Sequence, residues 1–184
     1  ADISQTTLAA KKMRDDGTPL DILINNAAQW LPGAMDSHDA YAIANTITGN
    51  VTGTLLFTRG LLPLLEKSGA GDILNIISTS GIPNVPLLGA SVAYIASKHG
   101  QAGMTDALRL ELRGRPVRVT GIYPPNILDI SPLDAAAWNA TPPDTSWPTN
   151  RDIVESALFA LSRPRHLTIA SLMLESDSGN FHTN

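Results

Sequence analysis

Residues 21–28 read DILINNAA, an apolar run that stops abruptly at two asparagines and two alanines. Ile22, Leu23 and Ile24 follow one another without polar alternation, which suits a short strand buried on both faces. Before it, residues 3–16 read as an amphipathic helix, with Ile3, Leu8, Ala9 and Met13 set against Lys11, Lys12, Arg14 and Asp15, until Gly17 and Pro19 break the pattern. After it, a helical pattern runs from about Ser37 to Lys67 through Ile43, Ile47, Val51, Leu55, Leu56 and Leu62. GAGD (69–72) reads as a turn and ILNIIS (73–78) as a second buried strand. Residues 91–113 form a helix with Ala93, Ala96, Met104, Leu108 and Leu112 among its apolar positions, and VRVTGIY (117–123) a third strand. A helix over 151–162, behind Asn150 as a cap candidate, and the strand HLTIASLML (166–174) complete the series. Residues 124–150 carry six prolines and read as a long ordered loop with one short helix near 132–139.

Helices alternating with apolar strands mean an α/β fold, a doubly wound parallel sheet covered on both faces. At 184 residues, residues 1–184 suit a single domain, with 124–150 as a loop region at its binding edge. The chain is 43% hydrophobic and 16% charged, so it is neither disordered nor membrane-like. A net charge of −4 supplies no basic stripe, which argues against nucleic acid as a partner. There is no Cys, and His38, His99, His166 and His182 show no metal-ligand spacing, so no metal is expected. No apolar run is long enough to span a membrane and no secretory signal precedes the first strand, so the expected location is the cytoplasm.

In such folds ligands bind at the carboxyl ends of the strands. Asn25, Asn26, Ala27 and Ala28 follow the first strand, Ser78, Thr79, Ser80 and Gly81 the second, and Pro124, Pro125, Asn126 and Ile127 the third. Each group alone reads as an ordinary turn. Together they put small and polar residues on one edge of the sheet, and SVAYIASKHG (91–100) opens the helix after the second group with Tyr94 and Lys98 four apart. That spacing places both side chains on one helix face. A chain with three Tyr will sometimes show it by chance, so the pair needs its neighbours to mean anything.

Those neighbours resemble the short-chain dehydrogenase/reductase family, in the family's order through most of the chain. DILINNAA is similar to its Asn-Asn-Ala-Gly strand end, NVTGT (50–54) to its Asn-x-x-Gly segment, IISTSG (76–81) to its serine-bearing strand, and YIASK (94–98) to its Tyr-x-x-x-Lys motif. The resemblance implies a Rossmann-type sheet and an NAD(P)-dependent oxidoreductase that interconverts a carbonyl and a secondary alcohol. Its catalytic residues would be Asn50, Ser78 (three before Gly81, not Ser80), Tyr94 and Lys98. Asp2, Asn26, Ala27, Tyr94, Lys98, Pro124 and Ile127 would face the cofactor.

A free Tyr titrates near 10, too high for base duty at neutral pH, and a cation beside it favours the phenolate. The resemblance further implies that Lys98 binds the nicotinamide ribose, that Ser78 orients the substrate oxygen, and that Asn50 holds a water linking Lys98 to solvent. The cofactor itself carries the hydride.

The family's Gly-rich turn, which admits pyrophosphate at a helix amino end, is absent from these 184 residues. The opening ADIS resembles the Asp after the family's third strand, so two βα units, on the order of 60 residues, are missing. The sequence reads as part of a longer enzyme, as a truncated relative acting as a scaffold or regulator without dinucleotide, or as a sheet completed by another chain. The missing initiating Met favours the first, and a chain truly beginning at Ala1 is expected to be inactive.

Ala28 stands where the family has Gly, Pro125 replaces the Gly of its Pro-Gly turn, and the stretch between Ser78 and Tyr94 is longer than usual. Trp30, Pro83–Leu88, Trp138 and Trp147 are either pocket walls or core, and as walls they imply an apolar or aromatic substrate. The closing PRHLTIASLMLE resembles members using NADP, which places NADP slightly ahead of NAD. A homodimer or homotetramer through residues 54–65 and 100–113 is the expected assembly.

Overall fold

The computed structural model describes residues 2–140 and 147–177; Ala1, residues 141–146 within the proline-rich stretch, and the end of the chain with His182 lie outside the described residues. The chain runs α1 (Ile3–Asp15), β1 (Ile22–Asn25), α2 (Ala40–Ile47), a π-helical segment (Thr48–Gly53), α3 (Thr54–Lys67), β2 (Gly71–Ile76), α4 (Val92–Glu111), β3 (Val117–Tyr123), α5 (Ala135–Asn139), α6 (Asn150–Leu161) and β4 (Ser171–Met173). The strands form one sheet in the order β1-β2-β3-β4, and every pair is parallel. This is the Rossmann-like α/β architecture expected from the alternation.

Side chains leave a strand alternately to its two faces, and the core divides accordingly. Leu23, Ile73, Val117 and Val119 meet Ala10, Leu61, Leu65 and Leu112 on one face, while Leu74 and Ile122 meet Ile153 of α6 on the other. Coverage of that second face is incomplete. Ile22 and Ile24 on β1 stay 45% and 51% exposed, outside the cluster that α6 forms with β2, β3 and β4.

Local readings also needed correction. The single helix expected over 37–67 begins at Ala40, after a 3₁₀ turn at Met35–Ser37, and passes through the π segment. Gly71 and Asp72 of the expected turn belong to β2, because the Gly71 N–H donates to Pro116 O and the Asp72 carboxylate is held by Arg118 and Arg165. The strand expected over 166–174 shrinks to Ser171–Met173, because Leu167 O and Ile169 O are taken by the side chains of Arg118 and Thr120. Thr149, not Asn150, caps α6: the Asp152 carboxylate accepts from the Thr149 N–H at 2.6 Å and hydroxyl at 2.9 Å. Asn150 instead clamps the base of the proline-rich stretch, bonding Asp129 and the Ile130 backbone.

The strands are also not wholly apolar. Asn75, Arg118 and Thr120 are buried within β2 and β3. On α4, Ala96 is exposed, and the buried stripe is Ser97, Lys98, Gln101 and Thr105. Buried polar groups at helical spacing need partners, and here they find one another.

Candidate active site

α4 follows β2, and the parallel connection brings its first turns back to the carboxyl edge of the sheet. Ser91 caps the helix by accepting from the Tyr94 N–H at 3.1 Å, which fixes the turn that carries the phenol. Trp30, arriving from the end of β1, lays its ring edge-on to Tyr94 with centroids 4.5 Å apart. Lys98 lies one turn further along, its Nζ 5.6 Å from the centre of the Tyr94 ring.

Burial holds the Tyr94 phenol above its ordinary range, opposed by its hydrogen-bonding partner, the Ser78 hydroxyl. The expected depression by Lys98 is not among the causes of the shift, which burial dominates. Losing water costs the phenolate more than the neighbouring groups return, so Tyr94 is held as a proton donor. Lys98 is 2% exposed, and burial pushes its ammonium down to about 8.

Asn50 is fully buried in the π segment, but its carboxamide does not face Lys98. It accepts from the Gln29 N–H at 2.7 Å and donates to Gln29 O at 3.0 Å and Ser97 Oγ at 2.9 Å. The Asn50 backbone carbonyl leads towards Lys98 through the side chain of Gln101. Gln29 and Gln101 were not singled out from the sequence. Gln101 left a signal, a polar residue three positions after Lys98 on the same helix face.

Asn26 and Ala27 line a cavity of about 360 Å³ at the end of β1, together with Thr6 and Ala9 of α1 and Gly53 and Phe57. Asp2 caps α1, its carboxylate accepting from Ser4 N at 2.9 Å, Ser4 Oγ at 2.5 Å and Gln5 N at 3.2 Å. The Ser4 hydroxyl is the main reason that carboxyl sits below its usual range. Pro124 is buried and its carbonyl accepts from the Thr79 N–H at 2.9 Å, tying the third strand end to the second. Ile127 packs into the second core cluster. A second cavity of about 360 Å³ opens beside Thr79, walled by Ile82, Val85, Pro86, Leu88 and Pro125. Asn84, Val85, Pro86 and Leu88 of the 83–88 stretch thus line a cavity, Trp30 packs on the phenol, and Trp138 uses its carbonyl to accept from Arg151 at 2.9 Å.

Residues 1–139 match the family described as short chain dehydrogenase. The chain belongs to that family. An uncharacterized oxidoreductase of Staphylococcus saprophyticus is 32% identical over 170 residues, covering 90% of this chain and 67% of the relative. One of Staphylococcus aureus is 32% identical over 150 residues, covering 82% of this chain and 62% of the relative. The chain therefore spans roughly two thirds of the length of these dehydrogenase relatives. Among solved structures, a Burkholderia xenovorans protein described as a short-chain dehydrogenase/reductase superposes with a TM-score of 0.75 at 27% identity, covering 96% of this chain and 70% of that one. An alcohol dehydrogenase of Thermococcus sibiricus, complexed with 5-hydroxy-NADP, shares the fold with a TM-score of 0.76 at 17% identity, covering 96% of this chain and 71% of that one. Among the described residues no helix is long and apolar enough to cross a membrane.

Proposed function

We propose that the protein is an NAD(P)-dependent oxidoreductase of the short-chain dehydrogenase family, working on a small apolar or aromatic carbonyl or secondary alcohol with Tyr94 as general acid/base. The observation that carries this reading is the meeting of a half-buried phenol, its hydroxyl partner Ser78 and the buried Lys98 ammonium at the carboxyl edge of the sheet. A phenol held protonated is the form that donates to the alkoxide when a carbonyl is reduced. Ser78 orients the substrate oxygen, and Trp30 packs the phenol in place.

The donor set fits the nicotinamide ribose. An ammonium has three N–H donors, and the Gln101 carbonyl takes one from Lys98, leaving two for ribose hydroxyls. Asn26 and Ala27 line a cavity suited to the same cofactor. When bound, the cofactor supplies the hydride. The 184 residues supply no pyrophosphate-binding turn, so they provide only the nicotinamide end of the site. NADP stands slightly ahead of NAD, assembly is as a homodimer or homotetramer, and the location is the cytoplasm.

Turnover of a panel of aromatic and aliphatic ketones and aldehydes with NADPH and NADH tests this. Tyr94→Phe should lower kcat by about 100-fold or more while leaving the cofactor Kd nearly unchanged. Equal turnover by the variant would rule out the acid/base role. Absence of cofactor binding by the wild type would favour the alternative, a scaffold or regulatory module of the same fold.

A further inference from the structure

We infer that Gln101 is the positioning residue for Lys98, joining its ammonium to the backbone of the π segment by a direct protein bridge. The functional consequence rests on Lys98 serving Tyr94 as proposed above. Gln101 is 3% exposed; its Oε1 accepts from Lys98 Nζ at 2.9 Å and its Nε2 donates to Asn50 O at 2.8 Å. The orientation of the carboxamide is unambiguous, since an ammonium can only donate and a carbonyl only accept. Asn50 O also accepts from Thr54 Oγ1 at 2.9 Å. Gln101 thus spans directly from that carbonyl to the Lys98 ammonium.

The bridge is held from behind. Gln101 O accepts from Thr105 Oγ1 at 2.7 Å, Thr105 Oγ1 from Asn75 Nδ2 at 2.8 Å, and Asn75 Oδ1 from Asn25 Nδ2 at 2.8 Å. Gly100 allows the close approach the bridge needs, because a Cβ there would come within 2.9 Å of Val51 Cγ2. The groups around Lys98 are Tyr94 on its own helix, neutral Asn50 and Thr54 on the facing segment, and Ser78 at the strand end; among the described residues no carboxylate offsets its charge. A neutral carboxamide neither supplies nor takes a proton here. Gln101 therefore aims the ammonium and governs how readily it stays charged, and the two remaining Lys98 N–H donors are left for the ribose hydroxyls.

Lys98 can be read directly by following the side-chain nitrogen signals of protein labelled with ¹⁵N-lysine through a pH titration. Lys11, Lys12, Lys67 and Lys98 are the chain's lysines, and Lys98→Arg identifies the relevant signal. Gln101→Leu removes the acceptor and should lower the Lys98 midpoint by about one pH unit, a tenfold change in its protonation equilibrium. Gln101→Glu, of the same shape, should raise it by a similar amount. Unchanged midpoints in both variants would overturn the bridge. Should Gln101→Leu fail to fold, Gln101→Glu decides alone, a raised midpoint supporting the bridge and an unchanged one overturning it. The titration needs neither cofactor nor substrate, so failure of the bridge and failure of the dehydrogenase reading are separate results.

Discussion

Lys98 keeps a charged group where water does not reach, and stability must register it. Its ammonium titrates at about 8 in the folded chain against an ordinary 10.5. Below pH 8 both states are charged and the burial cost is fully present. Between pH 8 and 10.5 the unfolded chain binds a proton that the folded chain has released, so stability rises with pH, by on the order of 3 kcal/mol over the whole window. Tyr94 and Tyr123, both raised from 10.0, keep their protons longer when folded, so above pH 10 they lower stability as pH rises and oppose the Lys98 effect. Urea unfolding at pH 7, 8, 9 and 10 should show the rise, and Lys98→Met should remove it. If the charged ammonium is the working form, kcat/KM for carbonyl reduction should fall as pH rises through about 8. At this scale Tyr94 and Lys98 were legible as a pair, because four-residue spacing on a helix is a local property. Gln101 was not, because its partner Asn50 is 51 residues away in sequence.

Among the elements, α1 and α3 meet at the tightest of the helix contacts. A Cβ at Gly60 would lie 2.6 Å from the Cβ of Ala10, and no rotamer moves either atom, so Gly60→Ala must push the helices apart. Alanine is the better helix former by about 1 kcal/mol, yet overpacking should win, with a net loss of about 1–3 kcal/mol in chemical denaturation. The existence of α1, α4 and α6 was legible from apolar spacing and breakers. The π segment was not. Val51 continues the apolar pattern through it, and what widens the turn is an accommodation to α4, where Asn50 and Val51 meet Ser97, Gln101 and Gly100. Leu88 is another tertiary outcome, held at φ 47° in the cavity wall, a left-handed conformation that a leucine adopts only under constraint.

Across the whole molecule, Arg118 joins pieces that local structure leaves separate. From β3 it donates to both Asp72 carboxylate oxygens, at 2.7 and 3.1 Å, and to the carbonyls of Leu161, Arg163, Pro164 and Leu167. One buried guanidinium thus satisfies the end of α6 and the stretch leading to β4. Arg118→Met strands those carbonyls and weakens the pairing of Asp72, so a loss of about 3–5 kcal/mol in unfolding free energy is expected. Arg165 still holds Asp72 at 2.8 Å, which places the effect towards the lower end of that range.

The sequence by itself determined the alternation of helices with short apolar strands, hence a parallel sheet, and the small and polar residues at its carboxyl edge. Those follow from periods of two and 3.6 and from turn chemistry, all written within a few residues. Only the tertiary structure decided that Tyr94 is raised, that Asn50 speaks to Lys98 through Gln101, and that β1 keeps half-exposed isoleucines. Burial and hydrogen-bond partners are set by what the fold brings alongside from distant parts of the chain, and no local pattern contains that information.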